Sequence, residues 1–298
     1  MRWRSVVGIG LGMMAVFGLV SSTSPPLPPG FLHAYRWQSA DPLFGGFSAI
    51  ELGDDGNTFT VLSDRGAFTS GHFVRNGLGE ITSVVALPIK KLLGPDDQLL
   101  RGFRRDSEGL AMQPDGQAYV SFEGGARVAH YKTLAGRGIV LARPKQFDDF
   151  RPNSGLEALA IDAEGTLYTL PERSADATAP FPVFRYKNGV WDQPFNLPRR
   201  GHFLAVGADI GPDGRFYLLE REFHGLSGFS SRVRRFTFGP EGLSHEETLL
   251  ESVTGQHDNL EGLSVWRDNK GFLRLTMISD DNQRFFQRTE IVEYHIPD

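Results

Sequence analysis

Five segments of the chain repeat one pattern: a short apolar run, a tight turn carrying glycine, and a second run that ends in charged residues. They read FSAIELGDDGNTFTVLSDRG from Phe47, DSEGLAMQPDGQAYVSFEGG from Asp106, NSGLEALAIDAEGTLYTLPER from Asn153, VGADIGPDGRFYLLERE from Val206, and DNLEGLSVWRDNKGFLRLTMISDDN from Asp258. The turn glycines Gly56, Gly116, Gly165, Gly214 and Gly271 recur at roughly 50 residues, a period of propellers and arrays, in which one unit cannot bury its own apolar face. Glycine supplies the positive φ of a tight hairpin, so each unit opens as two antiparallel strands. DDGN and PDGQ lack the alternating side-chain ligands of a calcium loop and are read as turns.

Two more strand-like runs follow each hairpin, as in PVFRYKNGV with VWDQPFNLP, or RVRRFTFGP with ETLLESV. Four strands per unit make a propeller blade. The last unit has one further strand, TEIVEYHIP, and the N-terminal FLHAYRW lacks a partner. Pairing these two closes the ring and removes exposed edges. The expected fold is therefore all-β, a β-propeller of five or six four-stranded blades closed by its N- and C-terminal strands. The longer interval between Gly56 and Gly116 leaves room for the sixth. No long 3.6-residue periodicity supports a helical alternative.

MRWRSVVGIGLGMMAVFGLVSSTS places two arginines before an apolar run from Val6 to Val20 and then small polar residues. Residues 1–24 are expected to be a signal peptide, residues 25–30 a Pro-rich spacer, and 31–298 the propeller domain. A periplasmic or secreted protein is expected, with no membrane attachment after cleavage. The chain has no cysteine, which excludes disulfides, thiol catalysis and Cys-ligated zinc. Losing Arg2 and Arg4 takes the net charge from −5 to about −7 by the same counting. With no long basic tract, that balance argues against a nucleic-acid partner. A monomer is expected.

In a hairpin whose turn lies at one end, the start of the first strand and the end of the second lie together at the other. In a propeller the first strand lines the central channel. Counted back from the turn glycine, Glu108 and Glu157 share a register, and Glu261 joins them once a longer NKG-containing turn is allowed for. Ser48 and Val206 occupy that register in the other two units. Carboxylates gathered at one mouth raise one another's pKa, and a hard divalent cation resolves the repulsion. Calcium, which tolerates irregular oxygen ligation, is the best match. Asn153, Asn259, Asp209 and Asp280 are the further candidate ligands. The alternative is that such acids cap loop amides or stay solvated.

The second strands end in Asp64-Arg65, Glu123, Glu172-Arg173, Glu220-Arg221 and Asp280-Asp281-Asn282. Arginine's planar fork suits bidentate capture of phosphate or carboxylate, so Arg65, Arg173 and Arg221 are the candidates for holding an anionic substrate. Pairing of these arginines with the neighbouring acids is the competing expectation. Arg101, Arg104 and Arg105 precede the second repeat and are read as a solvated run. His257 is the histidine nearest the expected mouth and the candidate general base. No GxSxG elbow, HExxH motif, phosphate loop or dinucleotide fingerprint occurs.

With these residues laid out, the sequence resembles the bacterial phytase-like family, named for an "esterase-like activity of phytase". The resemblance rests on GFSAIELGDDGNTFTVLSDRG, DSEGLAMQPDG, NSGLEALAIDAEGTLYTLPE, ADIGPDGRFYLLERE, and DNLEGLSVW with ISDDN and QRT, in order along almost the whole mature chain. It implies a propeller that hydrolyses phosphate or other esters. The DPAIW-like segment of calcium-dependent propeller phytases is absent. A looser likeness, carried by the EGL-type strand starts and SDR-type strand ends, links the chain to the gluconolactonase and paraoxonase group, which implies one channel calcium polarising a lactone or ester. The expected activity is hydrolysis of a small anionic ester, more readily a phosphoester than a carboxylic ester. A lactonase or esterase, or a non-catalytic propeller binding a ligand or protein around a structural ion, are the alternatives.

Overall fold

A computed structural model describes residues 27–150, 155–239 and 242–298. The expected signal peptide and Asn153 lie outside the described residues. The described residues form five sheets, four of them with four successive strands hydrogen-bonded from first to last and the fifth with three successive strands and the N-terminal one. The first strands are Phe47–Leu52, Ser107–Met112, Leu156–Ile161, Leu204–Ile210 and Asn259–Arg267. Each packs against its two neighbours, and the fifth returns to the first. That contact pattern is the closed ring of a propeller with the first strands innermost.

Five apolar clusters hold the ring together, and each lies between one pair of adjacent blades. Blades 4 and 5, for example, meet through Tyr217, Leu219, Met277 and Tyr294, all with no exposed surface. A single sheet would leave one face of each cluster in water, so the hydrophobic term favours the whole circle rather than any blade. The circle closes as expected from sequence. Phe31–Arg36 pairs antiparallel with Glu290–Ile296, placing Ala34 opposite Val292.

No sixth blade occurs among the described residues. The longer first interval holds one two-residue strand added to blade 1, in which Lys90–Lys91 pairs with Ala67 and Phe68, and a loop ending in the 3-10 turn Gly102–Arg105. Two residues of pairing are too few for a blade, and the segment's buried Leu92 packs into the core between blades 1 and 2 rather than into a core of its own.

All five hairpins turn in the same way. The turn glycines have φ between 62° and 87°, and Asp55, Asp115, Asp162, Asp213 and Asp268 accept backbone N–H groups of their own turns. Blade 5 is not longer at its turn. Its four-residue turn matches the others, and the extra length is in its nine-residue inner strand.

Four inner strands shift register around one residue, between Phe47 and Ala49, Leu156 and Ala158, Ala205 and Gly207, and Leu260 and Gly262. In blade 2 the irregularity spans Ser107 to Leu110. A bulge of this kind re-aims a side chain, and the residues it re-aims are Ser48, Glu108, Glu157, Val206 and Glu261. The position after each is small because the next inner strand lies against it. A Cβ on Gly207 would sit 2.4 Å from the Glu261 carbonyl oxygen, and one on Gly262 would sit 2.8 Å from the Ala49 backbone. Gly207→Ala is expected to cost about 1–3 kcal/mol through overpacking, measured by urea denaturation.

Candidate metal and ester site

Two acidic rings stand at one end of the channel. The inner ring is the bulged register, with Glu108, Glu157 and Glu261 buried at 6–7% exposure and Ser48 and Val206 completing the circle. Each outer-ring residue ends the second strand of its blade and lies opposite the residue two before the bulge. Backbone bonds from Asp64, Glu123 and Glu172 to the carbonyls of Gly46, Asp106 and Gly155 show this for three blades. Pairing of Leu204 with Arg221 and of Asn259 with Asp280 shows it for the others. The outer ring is therefore Asp64, Glu123, Glu172, Arg221 and Asp280: four acids and one arginine.

Charge in these rings is poorly compensated. Burial first, then the carboxylates of Glu157 and Glu261, push Glu108 well above the usual carboxylate range. Burial followed by Glu172 and Glu261 does the same to Glu157. Asp280 is raised to about 8, by burial and then by Glu261. The Glu157 and Glu261 carboxylates thus both lie within electrostatic reach of Glu108. Neither the Glu108 nor the Glu157 carboxylate has a hydrogen-bond donor among the described residues. Beside Glu108 and Glu261 lies a cavity of about 10 Å³ bordered by all five inner strands, with Ser48, Leu159 and Val206 completing its wall. That is room for about one water or one small ion.

Blade 2 adds a tighter group. Carboxylate oxygens of Asp106, Glu108 and Glu123 lie within 4.8 Å of one another. The Asp106 and Glu123 carboxyls are close enough that burial, followed by Asp106, raises Glu123 to about 7, while burial also raises Asp106. Asp106 had a signal in sequence: it opens DSEGL two residues before Glu108, the place that Asn259 holds before Glu261.

The three mouth arginines are not equivalent. Arg221 belongs to the outer ring and is committed to it, with Nη1 donating to Asn259 Oδ1 at 2.8 Å and Nη2 lying 3.3 Å from both Glu172 and Glu261. It is the cation that the rings carry in place of a fifth acid. Arg65 and Arg173 lie one residue beyond the ring. Arg65 stands 3.7 Å from Asp64, and Arg173, 54% exposed, lies 2.9 Å from Glu172. Arg173 also borders a cavity of about 380 Å³ walled by Phe150, Pro171, Pro180 and Pro182.

Other expected site residues stand elsewhere. Asn259 is fully buried, and its amide bridges Arg221 and Glu261 Oε1, so its carbonyl is already engaged. Asp209 lies three residues beyond the bulge, where it accepts from Ile210 N at 2.7 Å and Val265 N at 2.6 Å. Ser264 accepts from Leu52 N in the same way. At that level the side chains staple one blade to the next. His257 is buried inside blade 5, its Nε2 2.6 Å from the Tyr294 hydroxyl and its ring stacked on Phe31. Burial lowers it to about 4, so it is neutral and turned away from the mouth. Glu220 points into blade 4 rather than into the ring, to meet Arg232 and Arg234.

The comparisons agree with this architecture. An α-L-arabinofuranosidase from Podospora anserina shares 12% identity with the chain over 89% of it and 95% of that protein, at a TM-score of 0.50. A virginiamycin B lyase from Staphylococcus aureus shares 13% identity over 89% of the chain and 74% of the lyase, at 0.42. A structure provisionally named a gluconolactonase shares 11% over 91% and 94%, at 0.44. At such identities the likeness concerns the fold alone. No curated protein sequence matches the chain. The family model described as phytase-like, with the esterase-like activity of phytase, matches residues 42–283, and the chain belongs to that family.

Proposed function

We propose that the protein is an exported, metal-dependent hydrolase of small anionic esters, with calcium as the metal and a phosphoester as the favoured substrate. The observation that carries this reading is an ion-sized cavity bordered by the buried carboxylates Glu108 and Glu261, with the Glu157 carboxylate close enough to raise Glu108 after burial. The donor set is entirely oxygen and exceeds the single charge of Arg221, which suits a hard divalent cation. Glu108, Glu157 and Glu261 would hold it, with Asp106 and Glu123 at its blade 2 side. Bound there, it would supply Lewis-acid polarisation of the ester.

The chain's own residues supply the rest. Arg173 and Arg65 stand at the mouth where an anionic group would approach, and charge-assisted bonds from them would orient it. Arg221 fixes Glu172, Asn259 and Glu261 in place and acts as a positioning residue. Glu123, raised to about 7 by burial and then by Asp106, exchanges a proton near neutral pH, as a group that gives and takes protons at a reacting centre must.

Competition by that proton has a measurable sign. Below about 7 Glu123 is protonated, so calcium affinity is expected to fall as pH drops from 8 to 6, as read by calorimetric titration at the two values. The functional test is turnover of aryl phosphates and aryl esters with chelator and with added calcium. Calcium-restored turnover is expected. A calcium-dependent rise in melting temperature with no turnover of any ester would instead identify a binding module.

A further inference from the structure

A second cavity, of about 760 Å³, lies in blade 2 between its outer strands and residues 94–104. Its lining includes Arg101, Arg104 and Arg127 together with Phe103, Phe122 and Tyr131. Such a volume is within the range of small-molecule sites. The arginines set it apart. Most arginines in this protein lie against an acid, but none of these three makes an ion pair among the described residues. With Asp96 the one acid in the lining, the three arginines leave the cavity with a positive balance.

The walls are built rather than incidental. The Arg127 guanidinium stacks on the Phe122 ring at 3.9 Å and donates to the carbonyls of Gly124 and Arg104. This fixes the loop that brings in Arg101, Phe103 and Arg104. Burial, and then the nearby Arg104 and Arg143 charges, pull Arg127 down to about 10 against the opposing influence of Tyr131 and Asp106. Tyr131 is 1% exposed, its hydroxyl has no hydrogen-bond partner among the described residues, and it borders the cavity. Burial holds that hydroxyl in its protonated, donating form.

We propose that this cavity is a second binding site, distinct from the channel, for a small organic anion with a planar ring. The oxyanion is held by Arg101, Arg104 and the Tyr131 hydroxyl, and the ring lies between Phe103 and the Arg127–Phe122 stack. The chemistry is charge-assisted hydrogen bonding combined with stacking on aromatic and guanidinium planes. The site stands independently of the channel reading, because no channel residue takes part.

The probe is phenylphosphonate, whose carbon–phosphorus bond an ester hydrolase does not cleave, titrated calorimetrically into the full chain in calcium-free buffer with chelator. One equivalent is expected to bind. The Arg101→Gln/Arg104→Gln double variant should lose on the order of 10-fold or more in affinity, and Tyr131→Phe should weaken binding while leaving the melting temperature near that of the native chain. Arg65→Gln/Arg173→Gln should bind as the native chain does. Inorganic phosphate should bind more weakly than phenylphosphonate. Absence of binding at millimolar probe would overturn the proposal. So would loss of binding in the mouth variant with retention in the cavity variants, or equal affinity for phosphate and phenylphosphonate.

Discussion

Glu108→Gln is expected to abolish calcium binding and to lower ester turnover by about 10²–10³-fold, the scale on which loss of one preorganised electrostatic group is felt. Glu108 is the residue common to both acid groups, raised by Glu157 and Glu261 across the channel and by Asp106 and Glu123 in its own blade. The amide keeps the volume and the bulge while removing the charge that draws in the ion. Calorimetric calcium titration and turnover of an aryl phosphate check the two effects separately. Unchanged calcium affinity in a folded variant would remove Glu108 from the ligand set.

The second large effect lies in blade 4 and concerns stability. Glu220 and Arg234 have no exposed side-chain surface and meet at 2.6 Å, while Arg232 adds a second bond to Glu220 at 2.8 Å. Arg234 also reaches Glu246 at 2.8 Å and the Pro198 carbonyl at 2.9 Å. Arg234→Met strips a buried carboxylate of its bidentate partner, and such breaks typically cost about 3–5 kcal/mol. The triple replacement of Glu220, Arg232 and Arg234 by apolar residues is expected to cost less than this single change, because no unpaired charge remains. Urea denaturation of the two variants tests the ordering. The network makes the strand of alternating arginines, RVRRF, an internal element of the blade.

The repeat made most of this fold legible. Turn glycines and alternating apolar runs fix the hairpins, and a blade that cannot bury its own face implies a closed ring. The number of blades was legible only to within one, because the segment before Asp106 is long and apolar enough for strands, yet it pairs over two residues and spends Leu92 in the core between blades 1 and 2. The inner acidic ring could be placed because register is a matter of counting, and the counting survives blade 5, whose strand is longer by a whole pleat. Side-chain direction at strand ends is not a matter of counting. Glu220 and Arg221 are neighbours, yet one turns into the blade and the other into the ring, so Arg221, which reads as a substrate-binding residue in sequence, is engaged by Asn259, Glu172 and Glu261 in the structure. His257 failed for a similar reason. Adjacency to Asp258 and Asn259 placed it near the mouth, whereas the Phe31 strand, arriving from the other end of the chain, buries it against Tyr294.

The central claim is that the channel acids require a cation, and it has a signature in stability. Glu108, Glu157, Glu123 and Asp280 are all raised above their ordinary values, Glu123 to about 7 and Asp280 to about 8. A raised carboxylate stabilises the fold while protonated, and that contribution is lost as pH rises through its folded value. Without metal the protein should therefore weaken as pH rises from 6 to beyond 8, and a neutral glutamine at position 108 should relieve part of the loss. The most direct measurement is the melting temperature at pH 8 of the native chain and of Glu108→Gln, each in chelator and in calcium. The account predicts that the variant melts higher than the native chain in chelator, and that calcium raises the native chain but not the variant. A native chain indifferent to both chelator and calcium, with the variant less stable in each, would contradict it.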